Sequence, residues 1–148
     1  MTIIAYRDGI LAADSGAWYG DAFLGRGDKI IVLPDGSLLA TSGTWSDGEL
    51  AREWFSGDQI GERPKLDDRF GGLRVRPGGL VLQLDSKCIP FELRAPFHAD
   101  GSGHEIALGA MHMGATALQA VEAACEWSAR CRGPVQWHRV KMEMRDAA

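Results

Sequence analysis

No apolar run in this sequence is long enough to cross a membrane as a helix. The opening residues MTIIAYRDG carry an early acidic side chain and no hydrophobic stretch of signal-peptide length, so a cytosolic location is expected. Cysteine is scarce: Cys88, Cys125 and Cys131 are odd in number and show no Cys-x-x-Cys spacing. That pattern fits reduced thiols better than a disulfide framework or a zinc ribbon. There is no His-Glu-x-x-His motif, and His104 and His112, eight residues apart, share a helical face only loosely, so no metal is expected. Gly71-Gly72 lacks the lysine of a phosphate-binding loop. Lys and Arg number 16 against 20 Asp and Glu, a net charge of -4, which argues against nucleic acid as the main partner.

What is present has an ordinary globular balance, with 45% hydrophobic and 24% charged residues, and 148 residues suit a single domain. The first third reads as strands and turns. Thr2 to Tyr6 is a β-branched and aromatic run, Arg7-Asp8-Gly9 a turn, and Ile10 to Asp14 the returning strand. Lys29 to Leu33 and Ser37 to Thr41 form a second pair around Pro34-Asp35-Gly36. Gly16 to Gly27 mixes glycine and aromatics and stays unassigned. Ser46-Asp47-Gly48-Glu49 has the form of a capping box opening a helix to about Phe55, with Leu50, Trp54 and Phe55 as the candidates for its inward face. Gly57 to Gly72 reads as loop, and Leu73 to Val75 with Leu80 to Leu84 as a hairpin. Ile89 to Leu93 is an edge strand, because Pro90 cannot donate to a ladder.

The pattern changes after Gly101-Ser102-Gly103. His104 to Met113 is helix-like, and Thr116-Ala117-Leu118-Gln119 is a second capping box. The helix it opens runs to about Arg130 with Ala117, Ala120, Val121, Ala124 and Cys125 on one face, until Gly133-Pro134 ends it. Val135 to Met142 reads as a last strand. Strands at both ends and helices in the middle and late parts imply an α+β arrangement of stacked layers. The five tryptophans are scattered and suit core or subunit contacts, while Cys125 and Cys131 suit small buried side chains, with no activating partner evident for either thiol.

Thr2 carries the chemical argument. Methionine aminopeptidases remove Met1 when the next residue is small, and the product bears an α-amine and a hydroxyl on one residue. An α-amine with an ordinary pKa of roughly 8 serves as general base near neutral pH, and the hydroxyl supplies the nucleophile. Alone, a second-position threonine is equally an ordinary first strand.

The surrounding residues add a resemblance. MTIIAYRDGILAADS, followed by Lys29 at the head of KIIVLPDG, resembles the start of proteasome β-type subunits and of the bacterial HslV protease, and is most like short bacterial and phage proteasome-like proteins. Ala12-Ala13-Asp14, Leu39-Ala40-Thr41-Ser42-Gly43, Gly101-Ser102-Gly103 and Gly133-Pro134-Val135 continue the likeness, which is thin between about Gly57 and Pro96. The resemblance implies an N-terminal-nucleophile (Ntn) hydrolase: a four-layer αββα sandwich with two mostly antiparallel sheets. It implies a threonine peptidase with Thr2 as nucleophile, Lys29 beside it, Asp14 holding Lys29, Gly43 N–H on the oxyanion and Ser102 on the Thr2 amine. It calls for no cofactor. It implies a peptide or unfolded-protein substrate and a homo-oligomeric ring, with an unfoldase ATPase as partner by analogy.

Taken one at a time, these residues also have plain readings. Asp14-Ser15-Gly16 can be a strand-end turn, Lys29 a solvated lysine, Gly43 a turn glycine and Ser102 a helix N-cap. The related enzymes often carry an aspartate near the end of the last helix and Ser or Thr in the following turn; the corresponding residues here are Ser128 and Cys131. An inactive scaffold or binding subunit of the same fold, and an Ntn amidohydrolase acting on a small amide, therefore stand beside the peptidase reading.

Overall fold

The computed structural model describes residues 1–142. The chain starts as a hairpin, β1 (Ile3–Arg7) and β2 (Ile10–Ala13), closed at Asp8-Gly9, where both residues take positive φ. On β1, Ile3 and Ala5 face one side while Ile4 and Tyr6 face the other, so the period-2 alternation of a strand serves two apolar faces at once. The next hairpin, β3 (Gly16–Tyr19) and β4 (Ala22–Arg26), forms a two-stranded ribbon of its own. It occupies the stretch that sequence patterning left unassigned. A register shift between Ala17 and Trp18 explains why no clean alternation is visible there.

Five further strands follow: β5 (Ile30–Val32), β6 (Leu38–Ser42), β7 (Gly71–Val75), β8 (Val81–Leu84) and β9 (Phe91–Glu92). They pair antiparallel in chain order, and β9 is a two-residue edge rather than the full Ile89–Leu93 run. Between β6 and β7 lies α1 (Trp45–Ser56). Its N-cap is Thr44, whose hydroxyl accepts the Asp47 N–H, and not Ser46. Phe55 turns inward as expected, together with Ala51, whereas Leu50 stays exposed and Trp54 is only half-buried, contrary to the sequence expectation.

The chain then returns to the first sheet as β10 (His98–Gly101), which pairs with β1 from Ile3–Gly101 to Tyr6–His98. Two helices follow, α2 (His104–His112) and α3 (Ala117–Trp127). Thr116 and Gln119 form the expected reciprocal capping box, but α3 stops at Trp127, short of Arg130. Ala117, Ala120, Val121 and Ala124 are buried, whereas Cys125 is only half-buried against the same cluster. The last strand, β11 (Gln136–Arg139), is shorter than Val135–Met142 and pairs with β2.

Among the described residues the order is therefore β10-β1-β2-β11 in one sheet and β5-β6-β7-β8-β9 in the other, all antiparallel. The two sheets face each other across an apolar layer that includes Ile4, Tyr6, Leu11, Leu73 and Val75. Helices α2 and α3 cover the outer face of the first sheet through Met111, Ala120, Val121 and Ala124. Helix α1 covers the outer face of the second through Ala51 and Phe55, against Leu33, Leu39 and Leu84. The four layers are α, β, β, α, the Ntn-hydrolase sandwich. No described helix is long and apolar enough to cross a membrane.

Candidate active site

The β1–β2 hairpin sets the centre of the site. Its open end carries Thr2, which enters β1, and Asp14, which leaves β2, so twelve residues of chain bring the two side by side. Asp14 is fully buried. Its Oδ1 accepts the Ile3 N–H at 3.1 Å and its Oδ2 the Arg132 N–H at 3.0 Å. The remaining acceptor capacity is met by Lys29: its Nζ donates to Asp14 Oδ1 at 2.8 Å, with the lysine side chain 4% exposed. A buried ammonium needs such a partner, because unpaired it would carry its full desolvation cost.

Lys29 Nζ also donates to Thr2 Oγ1 at 3.3 Å and to the Met1 carbonyl at 3.2 Å. One cation therefore touches the hydroxyl and the carbonyl of the peptide bond that precedes it. The Thr2 N–H donates to Ser102 Oγ at 3.2 Å, and the Ser102 hydroxyl lies 3.3 Å from the Thr2 carbonyl as a donor. Ser102 is held there because β10 pairs with β1 and ends at Gly101, whose φ is +101°. A Cβ on Gly101 would overlap the Thr2 carbonyl, so glycine is required for this approach.

Gly43 follows β6 with φ +116° in the left-handed region, and a Cβ there would lie 3.3 Å from Phe70 Cα. With Thr2, Lys29 and Ser102, it lines a cleft of about 990 Å³. Trp18, Tyr19 and Asp21 of the β3–β4 ribbon form one rim, and Trp45 at the start of α1 lines it from the second sheet. All five residues expected from the sequence meet at this place, four lining the cleft and Asp14 behind them. The plain reading of Lys29 as a solvated lysine does not describe its burial, and Asp14, at the end of its strand, is buried as well.

The electrostatics follow from the packing. The Met1 α-amine is held below its ordinary value, first by burial and then by the Lys29 ammonium, with Asp14 opposing. Cys131 is buried behind Ser102; burial pushes its thiol up, while hydrogen bonds with the Ser128 and Ser102 hydroxyls oppose the shift. Ser128, at the C-cap of α3, accepts the Arg130 N–H at 3.3 Å. Cys131 thus lies near both Ser128 and Ser102. Burial pushes Cys125 to about 12 and Cys88 to about 11, as expected for packing thiols. His98 is buried against the Tyr6 ring and His104 Nδ1 lies 2.8 Å from the Gly101 carbonyl. Among the described residues no group of three or more His, Cys, Asp or Glu side chains is placed to hold a metal ion.

Two contributors are invisible in the sequence pattern. Gln136 on β11 accepts the Lys29 N–H at 3.1 Å and donates to the Asp14 and Gly27 carbonyls at 3.0 and 3.1 Å. It clamps the backbone on both sides of the ion pair from the far end of the chain. Asp100 on β10 lines the same cleft, where burial raises its carboxyl above the usual range against the Gly101 N–H and the Gln83 amide. A Gln or Asp so far along the chain from Thr2 has no local spacing that marks it.

No family model matches the chain, and no curated protein matches it either. Solved structures do match. Thiobacillus denitrificans BPH has a TM-score of 0.69 and 21% sequence identity over 96% of this chain and 98% of that one. Thiobacillus denitrificans BPH in complex with epoxomicin has a TM-score of 0.70 and 20% identity over 97% of this chain and 99% of that one. At this identity the likeness concerns the fold, which is proteasome-like along nearly the whole chain.

Proposed function

We propose that this protein is a threonine peptidase of the proteasome and HslV kind, with Thr2 as nucleophile once Met1 is removed. The reading rests on one observation above all: a buried Lys29 ammonium, fixed by Asp14 at 2.8 Å, reaches Thr2 Oγ1 at 3.3 Å at the wall of a peptide-sized cleft. That one of the similar structures is a complex with epoxomicin, a proteasome inhibitor, adds support from a relative of the fold.

In this mechanism the freed Thr2 amine takes the hydroxyl proton as Oγ1 bonds to the substrate carbonyl carbon. The α-amine of the intact chain is already held low by burial and by Lys29, and Lys29 would act in the same direction on an amine at Thr2. The Gly43 N–H stabilises the tetrahedral oxyanion. Collapse breaks the C–N bond, the Thr2 ammonium returns its proton to the leaving amine, and an acyl ester remains on Oγ1. Water, deprotonated by the same amine, then attacks the ester, releasing the acid and restoring Thr2. Ser102 orients the amine and passes protons. The proposal extends to a cytoplasmic homo-oligomeric ring, checked by native mass.

Intact mass comes first: a native protein that retains Met1 has no free Thr2 amine and no such mechanism. Hydrolysis of fluorogenic peptides, its loss in Thr2→Ala, and a covalent epoxyketone adduct on Thr2 are the expected outcomes. Cleavage of small amides without peptides would support an Ntn amidohydrolase, and no turnover after Met1 removal would support a scaffold.

A further inference from the structure

We infer that Asp100 is a specificity residue of the cleft and selects peptides with a basic side chain, lysine or arginine, near the scissile bond. This rests on the peptidase reading of the cleft. Asp100 pairs with Ile4 across β10 and β1, so its side chain points between the two sheets toward the start of β7. There Gly71, which pairs with Ser42 next to Gly43, makes room for it: a Cβ on Gly71 would lie 2.6 Å from Asp100 Oδ2. The carboxylate thus stands between the strand that leads to Ser102 and the strand that leads to Gly43.

Its hydrogen bonds leave it incomplete. Oδ1 accepts the Gly101 N–H at 2.7 Å and Oδ2 accepts Gln83 Nε2 at 3.2 Å. An ionised carboxylate offers about four acceptor sites, so acceptor capacity remains on a side chain of a residue that lines the cleft. Among the described residues no cation forms an ion pair with it. Of the cleft's own cationic groups, Lys29 pairs with Asp14, Arg52 with Glu49 at 3.5 Å and Arg69 with Asp67 at 3.1 Å, while His104 acts on Asp100 through its charge without an ion pair, its Nδ1 being 2.8 Å from the Gly101 carbonyl. Arg130 reaches the Met1 sulfur at 3.4 Å, on the nucleophile side. Asp21 and Asp28, also lining the cleft, have no ion-pair partner among the described residues. A half-buried carboxylate with open acceptors and no counter-ion is complemented by an ammonium or guanidinium brought in by the substrate.

The test compares matched fluorogenic peptides carrying arginine or norleucine at one position, walked through the three residues before the scissile bond. Met1-processed protein should prefer arginine at one of those positions by about tenfold, the worth of a charge-assisted hydrogen bond. Asp100→Asn should erase that preference, read as the ratio of arginine to norleucine turnover within the variant. Gly71→Ala, which keeps the charge but displaces it, should weaken the preference too. A ratio unchanged in Asp100→Asn overturns the inference and leaves the peptidase reading intact. Labelled peptide binding to Thr2→Ala protein reads the carboxylate without catalysis. Arginine-selective binding that depends on Asp100, with no cleavage by the processed protein, keeps the inference and sinks the peptidase reading; binding without selectivity counts against the inference.

Discussion

Replacing Asp14 with alanine is expected to cost more stability than replacing its partner Lys29, although both remove the same ion pair. In Asp14→Ala the ammonium, 4% exposed, keeps only the Met1 carbonyl and the Thr2 hydroxyl, both neutral. The N–H groups of Ile3 and Arg132 lose their acceptor as well. Breaking a buried pair from one side costs about 3–5 kcal/mol, and two orphaned donors place this case toward the upper end. In Lys29→Met the carboxylate keeps both N–H donors, and the thioether fills most of the lysine's volume, so the loss should be about half as large, roughly 2 kcal/mol. Asp14→Asn is not a neutral swap. Whichever way the amide is flipped, its NH2 faces either the Arg132 N–H or the Ile3 N–H and Lys29.

Urea unfolding followed by tryptophan fluorescence measures these differences. With a slope near 2 kcal/mol/M, Asp14→Ala should lower the midpoint by about 2 M and Lys29→Met by about 1 M, with the slope itself unchanged. For a domain whose total stability is about 5–15 kcal/mol, the alanine variant approaches the threshold of folding. The reasoning is refuted if Lys29→Met costs as much as Asp14→Ala, or if Asp14→Ala lies within about 1 kcal/mol of the parent.

Gly101→Ala should cost about 3 kcal/mol or more, because φ +101° and a clash with the Thr2 carbonyl act together; Gly20→Ala, with φ +56° and open space, should cost about 1, and equal midpoint shifts would contradict this. Thr116→Ala removes the hydroxyl that accepts the Gln119 N–H at 3.1 Å and should lose about 1 kcal/mol in the same assay. His98 is held below its ordinary pKa first by burial, with a backbone hydrogen bond at Ala95 opposing, while Glu92 and Arg94 beside its cavity pair with each other at 2.9 Å. A depressed imidazole means that the unfolded chain binds the proton first as pH falls below about 6.5, so stability should decline there. His98→Phe should flatten the decline, and an NMR titration placing the His98 pKa at or above the unfolded value would rule this out.

Legibility divides along the range of the interactions. The Thr2–Asp14 hairpin could be read because a strand period, a turn tripeptide and the returning strand lie within fourteen residues, and the Thr116–Gln119 cap because it lies within four. Strand β10 could not: His98-Ala99-Asp100-Gly101 has no β-branched residue, and its extended form is imposed by the ladder to β1. The start of α1 failed differently. Thr44 and Ser46 are both hydroxyls able to cap, and only burial of Ala51 and Phe55 against the second sheet chooses the earlier one.

The candidate site shows the same division within one set of residues. Asp14 and Lys29 could be placed because the motifs around them resemble proteasome β-type subunits and HslV, and the need of a buried ammonium for a carboxylate makes physical sense of that pairing. What fixes the pair to the rest of the fold could not be. Arg132 contributes a backbone N–H, which any residue except proline could supply, so its identity carries no signal. Gln136 satisfies three backbone groups around the pair, a role that becomes visible only once β11 lies beside β2. The same nonlocal logic governs Cys131. Cys131 is 5% exposed and lies near Ser102, so a thiol, a weak donor and acceptor, stands next to the group that touches Thr2 N–H. The strongest polar contact beside the Thr2 hydroxyl is therefore the buried Lys29–Asp14 pair, and not a link through Cys131.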